Sequence, residues 1–395
     1  MYKLKLLFAL TLLFCSLTLR AQTFARGADV SWCTEMENDG KMFYDNTGKQ
    51  TELMQLLRQI GMNAVRLRVW MNPENAYGPW CNKSDVLVKA RRAHAQGLDL
   101  MIDFHYSDFF ADPSRQNKPA AWAGMTLEQL KQAVAAHTTD VLQTLKNEGI
   151  TPRWVQVGNE TRTGMIHPEG KLDWSKSGAA AWNGYVTLSN AGYDAVKTVF
   201  PDAVVIVHID RGPEDNLWFF RDFKQYGGKF DMMGLSHYPD YDKWQANNTS
   251  TASRITTLYN QFKVPVMIVE TGYDSYYEDL AYNVMADLFS KVENLTGCAG
   301  VFYWEPEVYN KWKPAYYGTL NWNAYNMGAF TKRGRPGKAL TPFYDETAGI
   351  SHTAADLTAP ANGRAYDPLG RPVGPRQTKG FRFSKGRKML VGQHK

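Results

Sequence analysis

Two glutamates stand where chemistry could be done. Glu160 closes the run WVQVGNE and Glu270 closes VPVMIVE, each at the end of a short apolar stretch. Two carboxyl groups over one cleft meet the needs of glycoside hydrolysis, in which one protonates the leaving oxygen while the other attacks the anomeric carbon or activates water. A separation of ~5–5.5 Å gives retention of configuration, and ~6.5–9.5 Å gives inversion. The competing reading makes either glutamate a mere ion-pair partner of Arg66 or Arg68. Those arginines are two apart and share a face of their strand, so both can point inward. A guanidinium beside Glu270 would lower its pKa and keep it ionised, while at least one of the pair is expected to be a structural salt bridge. Asn159, directly before Glu160, could bond a sugar hydroxyl next to the reacting carbon.

Other apolar runs end in similar fashion. His105, His208 and His237 could together bind zinc. The first run, GADVSW, lacks the paired histidines with which metal-dependent hydrolases on barrels begin, so the histidines are expected to bond sugar hydroxyls or orient the carboxylates. No metal or cofactor is expected. Trp70, Trp218 and Trp304 are candidate stacking platforms, each also readable as core, and Trp304, in GVFYWEP, is the best placed. Asp29, Asp210 and Tyr238 complete the candidate substrate-binding set.

The elements that must position these residues alternate regularly through residues 26–305. Candidate strands are 27–31, 64–70, 99–104, 154–158, 203–208, 232–236, 264–269 and 301–304. Between them lie helical patterns. Thr51–Ile60 carries one apolar stripe, Ser84 caps a helix ending at Gly97, and Thr126 with Gln129 forms a capping box for a helix that stops at Gly149. Eight strands alternating with helices predict an α/β fold, a single (β/α)8 barrel, whose usual size is about 250 residues. A Rossmann sheet is the runner-up, but no strand leads into a GxGxxG turn. Barrel active sites gather at the C-terminal ends of the strands. Strands four and seven put Glu160 and Glu270 across the mouth from each other.

Composition bounds the rest. Of 395 residues, 44% are hydrophobic and 21% charged, which excludes a disordered or collagen-like chain. The long apolar stretch is N-terminal: Lys3 and Lys5, then Leu6–Leu19, then a small residue at Ala21 predict a signal peptide over 1–21, with no membrane span after its removal. The protein is therefore expected to be secreted, to the outside, the cell surface or the periplasm. The net charge of +6 is unevenly spread, because residues 361–395 hold nine basic side chains and one acidic, and residues 21–360 carry a net −5. A nucleic-acid partner is not expected on that balance. Cys33 and Cys81 follow the first two strands onto the same rim, so a disulfide between them is an open expectation, with Cys298 free and buried. The predicted organisation is signal 1–21, barrel 22–350, and a linker with a basic tail over 351–395.

The blocks RGADVSW, NAVRLRVW, DFHYSD, VQVGNET, HID, GLSHYPDY, VETGY and GVFYWEP occur in that order, from about residue 25 to about 345. Together they resemble the endo-β-1,4-galactanases of glycoside hydrolase family 53. The resemblance implies a (β/α)8 barrel, with Glu160 as acid/base and Glu270 as nucleophile of a retaining double displacement. It also makes Arg66 the strand-two arginine, and His237 and Tyr238 the strand-six residues. The implied substrate is β-1,4-galactan, or type I arabinogalactan of pectin; apart from the resemblance, a monomer is expected. Many bacterial relatives carry a long insertion after the strand-seven glutamate, calcium-binding in some; here TGYDSYYEDL follows directly, so a calcium site is in doubt. The tail is similar to sorting tails of Bacteroidetes-type secreted proteins, with a nonspecific basic tail as the alternative. The remaining rivals are a mannanase or cellulase with the same two glutamates, and a carbohydrate-binding barrel without activity.

Overall fold

Eight apolar runs pair in parallel and in chain order, and the eighth closes on the first. The computed structural model describes residues 23–320, 325–344 and short stretches of the tail. Its barrel strands are β1 (Ala25–Asp29), β2 (Ala64–Val69), β3 (Asp99–Phe104), β4 (Trp154–Val157), β5 (Val204–Ile209), β6 (Met232–His237), β7 (Val266–Thr271) and β8 (Cys298–Trp304). The helices are α1 (Cys33–Asn38), α2 (Leu53–Gln59), α3 (Glu74–Tyr77), α4 (Lys83–Ala95), α5 (Leu127–Asn147), α6 (Ala179–Val199), α7 (Leu217–Gln225), α8 (Trp244–Phe262) and α9 (Glu278–Val292). The fold is the single (β/α)8 barrel that the alternation predicts. Strand ends differ from the sequence reading by up to three residues; β1 starts and stops two residues early, and β8 begins at Cys298.

Local chemistry explains the helix boundaries. The Thr126 hydroxyl accepts from the Gln129 backbone, and the Gln129 side chain accepts from the Thr126 backbone, so α5 begins with the expected box. Leu130, Val134, Val141, Leu142 and Leu145 then bury one stripe. Gly149, at φ 72°, supplies the left-handed residue that ends it. For α4 the cap is Asn82 and not Ser84: Asn82 Oδ1 accepts from the Asp85 backbone N–H at 2.9 Å, and Ser84 sits within the first turn.

Residues two apart on a strand share a face, and the barrel interior uses this to build two storeys. The lower storey is apolar, with Ala25, Ala64, Met101, Trp154, Ile206, Met232 and Phe302 in one cluster. Trp154 and Phe302 meet edge to face at 6.1 Å, and Gly27 makes room for them, since a Cβ there would lie 2.3 Å from the Phe302 ring. Two residues higher the inner face turns polar. Ala64 gives way to Arg66, Met101 to Asp103, Trp154 to Gln156 and Ile206 to His208, all buried.

Strand β7 breaks the alternation. Against β6 its register runs Leu235 to Ile268 and then Ser236 to Glu270, so β7 carries one extra residue. Met267 and Val269 both pack in the inner cluster. Strict alternation would then turn Glu270 outward. A bulge inserts a residue and re-aims the side chain that follows, and Glu270 reaches Arg66 inside the barrel.

Cys33 and Cys81 do not form the disulfide left open above; both are free, buried thiols. Their sulfurs have different partners, the Ser31 carbonyl for Cys81 at 3.7 Å and the Arg92 guanidinium for Cys33 at 3.9 Å. Cys298 is also free, but half-buried rather than buried. No helix among the described residues is long and apolar enough to cross a membrane. The expected signal peptide over 1–21 and most of the tail lie outside the described residues. The tail stretches β9 (Ala365–Tyr366), β10 (Pro372–Val373), β11 (Gly380–Ser384) and β12 (Arg387–Val391) pair antiparallel in the order β10-β9-β11-β12.

Candidate active site

After β4 ends at Val157 the backbone turns twice through left-handed conformations, at Gly158 (φ 82°) and Glu160 (φ 47°). A non-glycine residue held there costs about 1–3 kcal/mol and persists where the surroundings over-determine it. The surroundings here are a relay. Ser236 Oγ donates to Glu160 Oε1 at 2.6 Å, and His208 Nε2 lies 2.8 Å from Ser236 Oγ. On its other side His208 Nδ1 faces the Glu160 backbone N–H at 3.3 Å and Gln156 Nε2 at 3.0 Å. The neutral tautomer with its proton on Nε2, assigned from these partners, satisfies these three contacts and leaves Asn159 Oδ1, 3.0 Å from Nδ1, to accept from Arg66 and Gln156 instead. Burial, and then the Arg66 charge, hold the His208 pKa well below the usual imidazole value.

On the facing side, Arg66 organises the floor. Asp29 Oδ2 holds Nη1 at 2.7 Å. Nη2 reaches Asp103 Oδ2 at 2.8 Å, Asn159 Oδ1 at 2.8 Å and Glu270 Oε1 at 2.9 Å. The second oxygen of Glu270 accepts from the Tyr238 hydroxyl at 3.0 Å. Asn159 Nδ2 donates to the Ala111 carbonyl at 2.7 Å, which fixes the amide beside Glu160. His105 is tied to Asp103 at 3.0 Å through Nε2 and accepts the Ala111 N–H on Nδ1.

The two carboxyls face different fields. Burial pushes Glu160 well above the usual carboxyl value, and the charge of Glu270 pushes it further; the Ser236 hydrogen bond opposes them. Burial raises Glu270 as well, to about 7, but there Arg66 is the largest opposing influence. The expected depression of Glu270 by the guanidinium is thus present and outweighed by desolvation. Both are raised by burial, and a cation opposes the rise at Glu270 alone. A carboxylate beside a neutral carboxylic acid is the division of labour that pKa tuning produces in two-carboxyl sites.

Of the remaining candidates, Trp304 is half-buried, 5.3 Å from Trp32 and 5.2 Å from Tyr325 between ring centroids. Asp210 pairs bidentately with Arg162 at 2.7 and 3.2 Å, and its charge also raises Glu160. Two candidates turn away from the cleft. Arg68 is sealed among the rings of Trp32, Trp70 and Phe110 and pairs with Glu305 at 2.5 Å. His237 is fully buried between Asn248 and Thr251 of α8, at 2.6 and 3.0 Å. Trp70 is buried core, while Trp218 is half-buried beside the exposed Trp174. The three histidines therefore have separate protein partners, and no cluster of three metal-ligating side chains occurs among the described residues. Ser236 and Gln156 are the site residues that the sequence reading missed. Their inward position, two residues beyond Gly234 and Trp154, was the available signal.

A barrel with two unlike carboxyls at the ends of β4 and β7 defines a class of sugar-cleaving enzymes, and the comparisons narrow it. Residues 25–343 match the model of glycosyl hydrolase family 53, and the chain belongs to that family. It is 34% identical to an arabinogalactan endo-β-1,4-galactanase of Cellvibrio japonicus over 72% of this chain and 80% of that protein. An uncharacterized protein of Niallia circulans is 32% identical over 85% of this chain and 96% of its own length. Among solved structures, a fungal β-1,4-galactanase superposes with a TM-score of 0.69 at 26% identity, covering 81% of this chain and 98% of that one. The chain is a glycoside hydrolase.

Proposed function

We propose that this chain is a secreted, retaining endo-β-1,4-galactanase acting on galactan and type I arabinogalactan, with Glu270 as nucleophile and Glu160 as acid/base. The observation that carries the assignment of roles is the asymmetry between the carboxyls: Glu270 pairs with Arg66 at 2.9 Å, and among the described residues Glu160 pairs with no cation, its partner being the Ser236 hydroxyl. In the first step a Glu270 oxygen bonds to the anomeric carbon, the glycosidic C–O bond breaks, and the leaving oxygen takes the proton of Glu160. In the second, Glu160 takes a proton from water, whose oxygen bonds to the same carbon while the ester to Glu270 breaks. In this reading Asn159 bonds the neighbouring hydroxyl and Trp304 stacks on the ring. The substrate preference rests on the galactanase relatives.

The test is reducing-sugar release by the full chain from linear galactan, with mannan and carboxymethylcellulose beside it, and NMR of the first-formed anomer. Galactan-only hydrolysis with a β-anomer supports the reading. An α-anomer overturns retention, activity on another polymer overturns the substrate, and silence on all three returns the binding-barrel reading.

A further inference from the structure

Exposed aromatic rings on a soluble enzyme are ordinary when scattered and informative when gathered. Eight large apolar or aromatic side chains are exposed among the described residues, and five are tyrosines: Tyr238, Tyr241, Tyr276 and Tyr277 on the segments that follow β6 and β7, and Tyr282 on α9. Three of them are linked ring to ring, and a fourth bonds the nucleophile. Tyr238 touches Glu270 through its hydroxyl, and Tyr241 follows on the same loop. The Tyr241 and Tyr277 rings are 5.3 Å apart, and those of Tyr277 and Tyr276 are 5.0 Å apart. Tyr276, 83% exposed, stands at the edge of a cavity of about 770 Å³, a volume usual for small-molecule sites. Asp274, Asn310, Lys311, Asn326 and Lys332 give that cavity polar walls, and Tyr325, which packs on Trp304, lines its inner side. The segment that follows the nucleophile thus buries Tyr273 and exposes Ser275, Tyr276 and Tyr277.

We infer that Tyr241, Tyr277 and Tyr276 form a rail that carries the galactan chain away from Glu270 into this cavity, a binding region beyond the sugars held at the reacting bond. The inference rests on the galactanase reading, and its occupant follows from the two ends of this stretch, Tyr238 on Glu270 and Tyr325 between Trp304 and the cavity. A β-galactosyl unit offers one face of C–H groups, matching a tyrosine ring, and an edge of hydroxyls, matching amide, carboxylate and ammonium groups of the cavity wall. Tyrosine suits a wet rail because its body is apolar and its tip polar.

The test compares the full chain with Tyr276→Ala and the double variant Tyr241→Ala/Tyr277→Ala, and with Val88→Ala on the far side of the barrel wall as a control. Each is assayed on linear galactan and on β-1,4-galactotetraose. The rail predicts that the polymer-to-tetrasaccharide ratio of kcat/KM falls about threefold to tenfold for each tyrosine removed, the scale of one aromatic contact. An unchanged ratio, whether both rates hold or both fall together, overturns it. Affinity electrophoresis of Glu270→Ala in galactan-containing gels reads the rail without turnover: adding Tyr276→Ala should abolish most of the retardation, and undiminished retardation overturns the rail. Wild-type inactivity on galactan is a separate failure, of the galactanase reading itself.

Discussion

Arg66 and Arg68 lie two residues apart on β2, both fully buried and both paired with a carboxylate at the end of another strand, yet they serve opposite ends. Around Arg66 stand Asp29, Asp103 and Glu270, and the cluster opens toward half-exposed Glu160 and Tyr238. Around Arg68 stand Glu305, the buried Glu307 beside it and three aromatic rings, closed over by Trp32, whose backbone N–H donates to Glu305 at 3.1 Å. Burial raises Glu270 and Glu305 alike, each to about 7. A perturbed carboxyl is therefore a candidate for function only where substrate can reach it. Access separates the two clusters, and charge does not.

The largest expected effect tests that separation directly. Glu270→Gln should cut kcat on galactan by at least ~100-fold, the lower bound typical for a positioned acid–base group, with the fold intact by circular dichroism. Glu305→Gln should leave turnover per folded molecule within a fewfold of wild type. A large catalytic loss in Glu305→Gln would dissolve the contrast.

Next come the arginines. Arg68→Met leaves Glu305 buried without its cation and should destabilise by about 3–5 kcal/mol, read as a fall in the denaturation midpoint. Arg66→Met should act on the pH profile as well. Removing the main influence that holds Glu270 down moves the acid limb of kcat/KM to higher pH, and an unmoved limb would reject Arg66 as the tuner of Glu270.

A third effect belongs mainly to the closed cluster. Glu305 is raised to about 7, Glu307 well above the usual value, and Glu35 to about 8, all chiefly by burial. A folded-state pKa above the unfolded value means that the folded state binds more protons between the two. The stabilisation is complete below about pH 4.5 and is lost as pH rises through about 7 to 8. Thermal midpoints should therefore decline from pH 5 to pH 8, and Glu307→Gln should flatten the decline. The smallest effect concerns Cys81, buried against the Arg68 guanidinium with its thiol pushed up to about 11. Alkylation after denaturation without reductant should label Cys33, Cys81 and Cys298 fully.

The barrel was legible because its strands are continuous apolar runs and its helices are bounded by caps such as Thr126 and Gly149. The two glutamates were legible because they terminate such runs. What could not be read is direction. His237 and Ser236 are neighbours on β6, and only the register shows that Ser236 faces Glu160 while His237 faces α8. Arg66 and Arg68 share a face in sequence, but the tilt of neighbouring strands brings one to Glu270 and the other to Glu305. Cys33 and Cys81 follow neighbouring strands, yet their thiols are free and turn to different partners, Arg92 and the Ser31 carbonyl.

The extra residue in β7 has a consequence for changes in chain length. Every inner-face position after Ile268 is counted from that insertion, so deleting Val269 would restore plain alternation with Glu270 still inward, whereas one further residue inserted before Glu270 would swing the nucleophile into the helical layer. Substitution at Val269 would only alter packing. Beyond Thr271 the count no longer matters, because the chain has left the sheet. The loop between β7 and α9 can thus lengthen or shorten while the strand tolerates no added residue, and a scan of one-residue insertions along 264–280 should show that boundary as a step in activity.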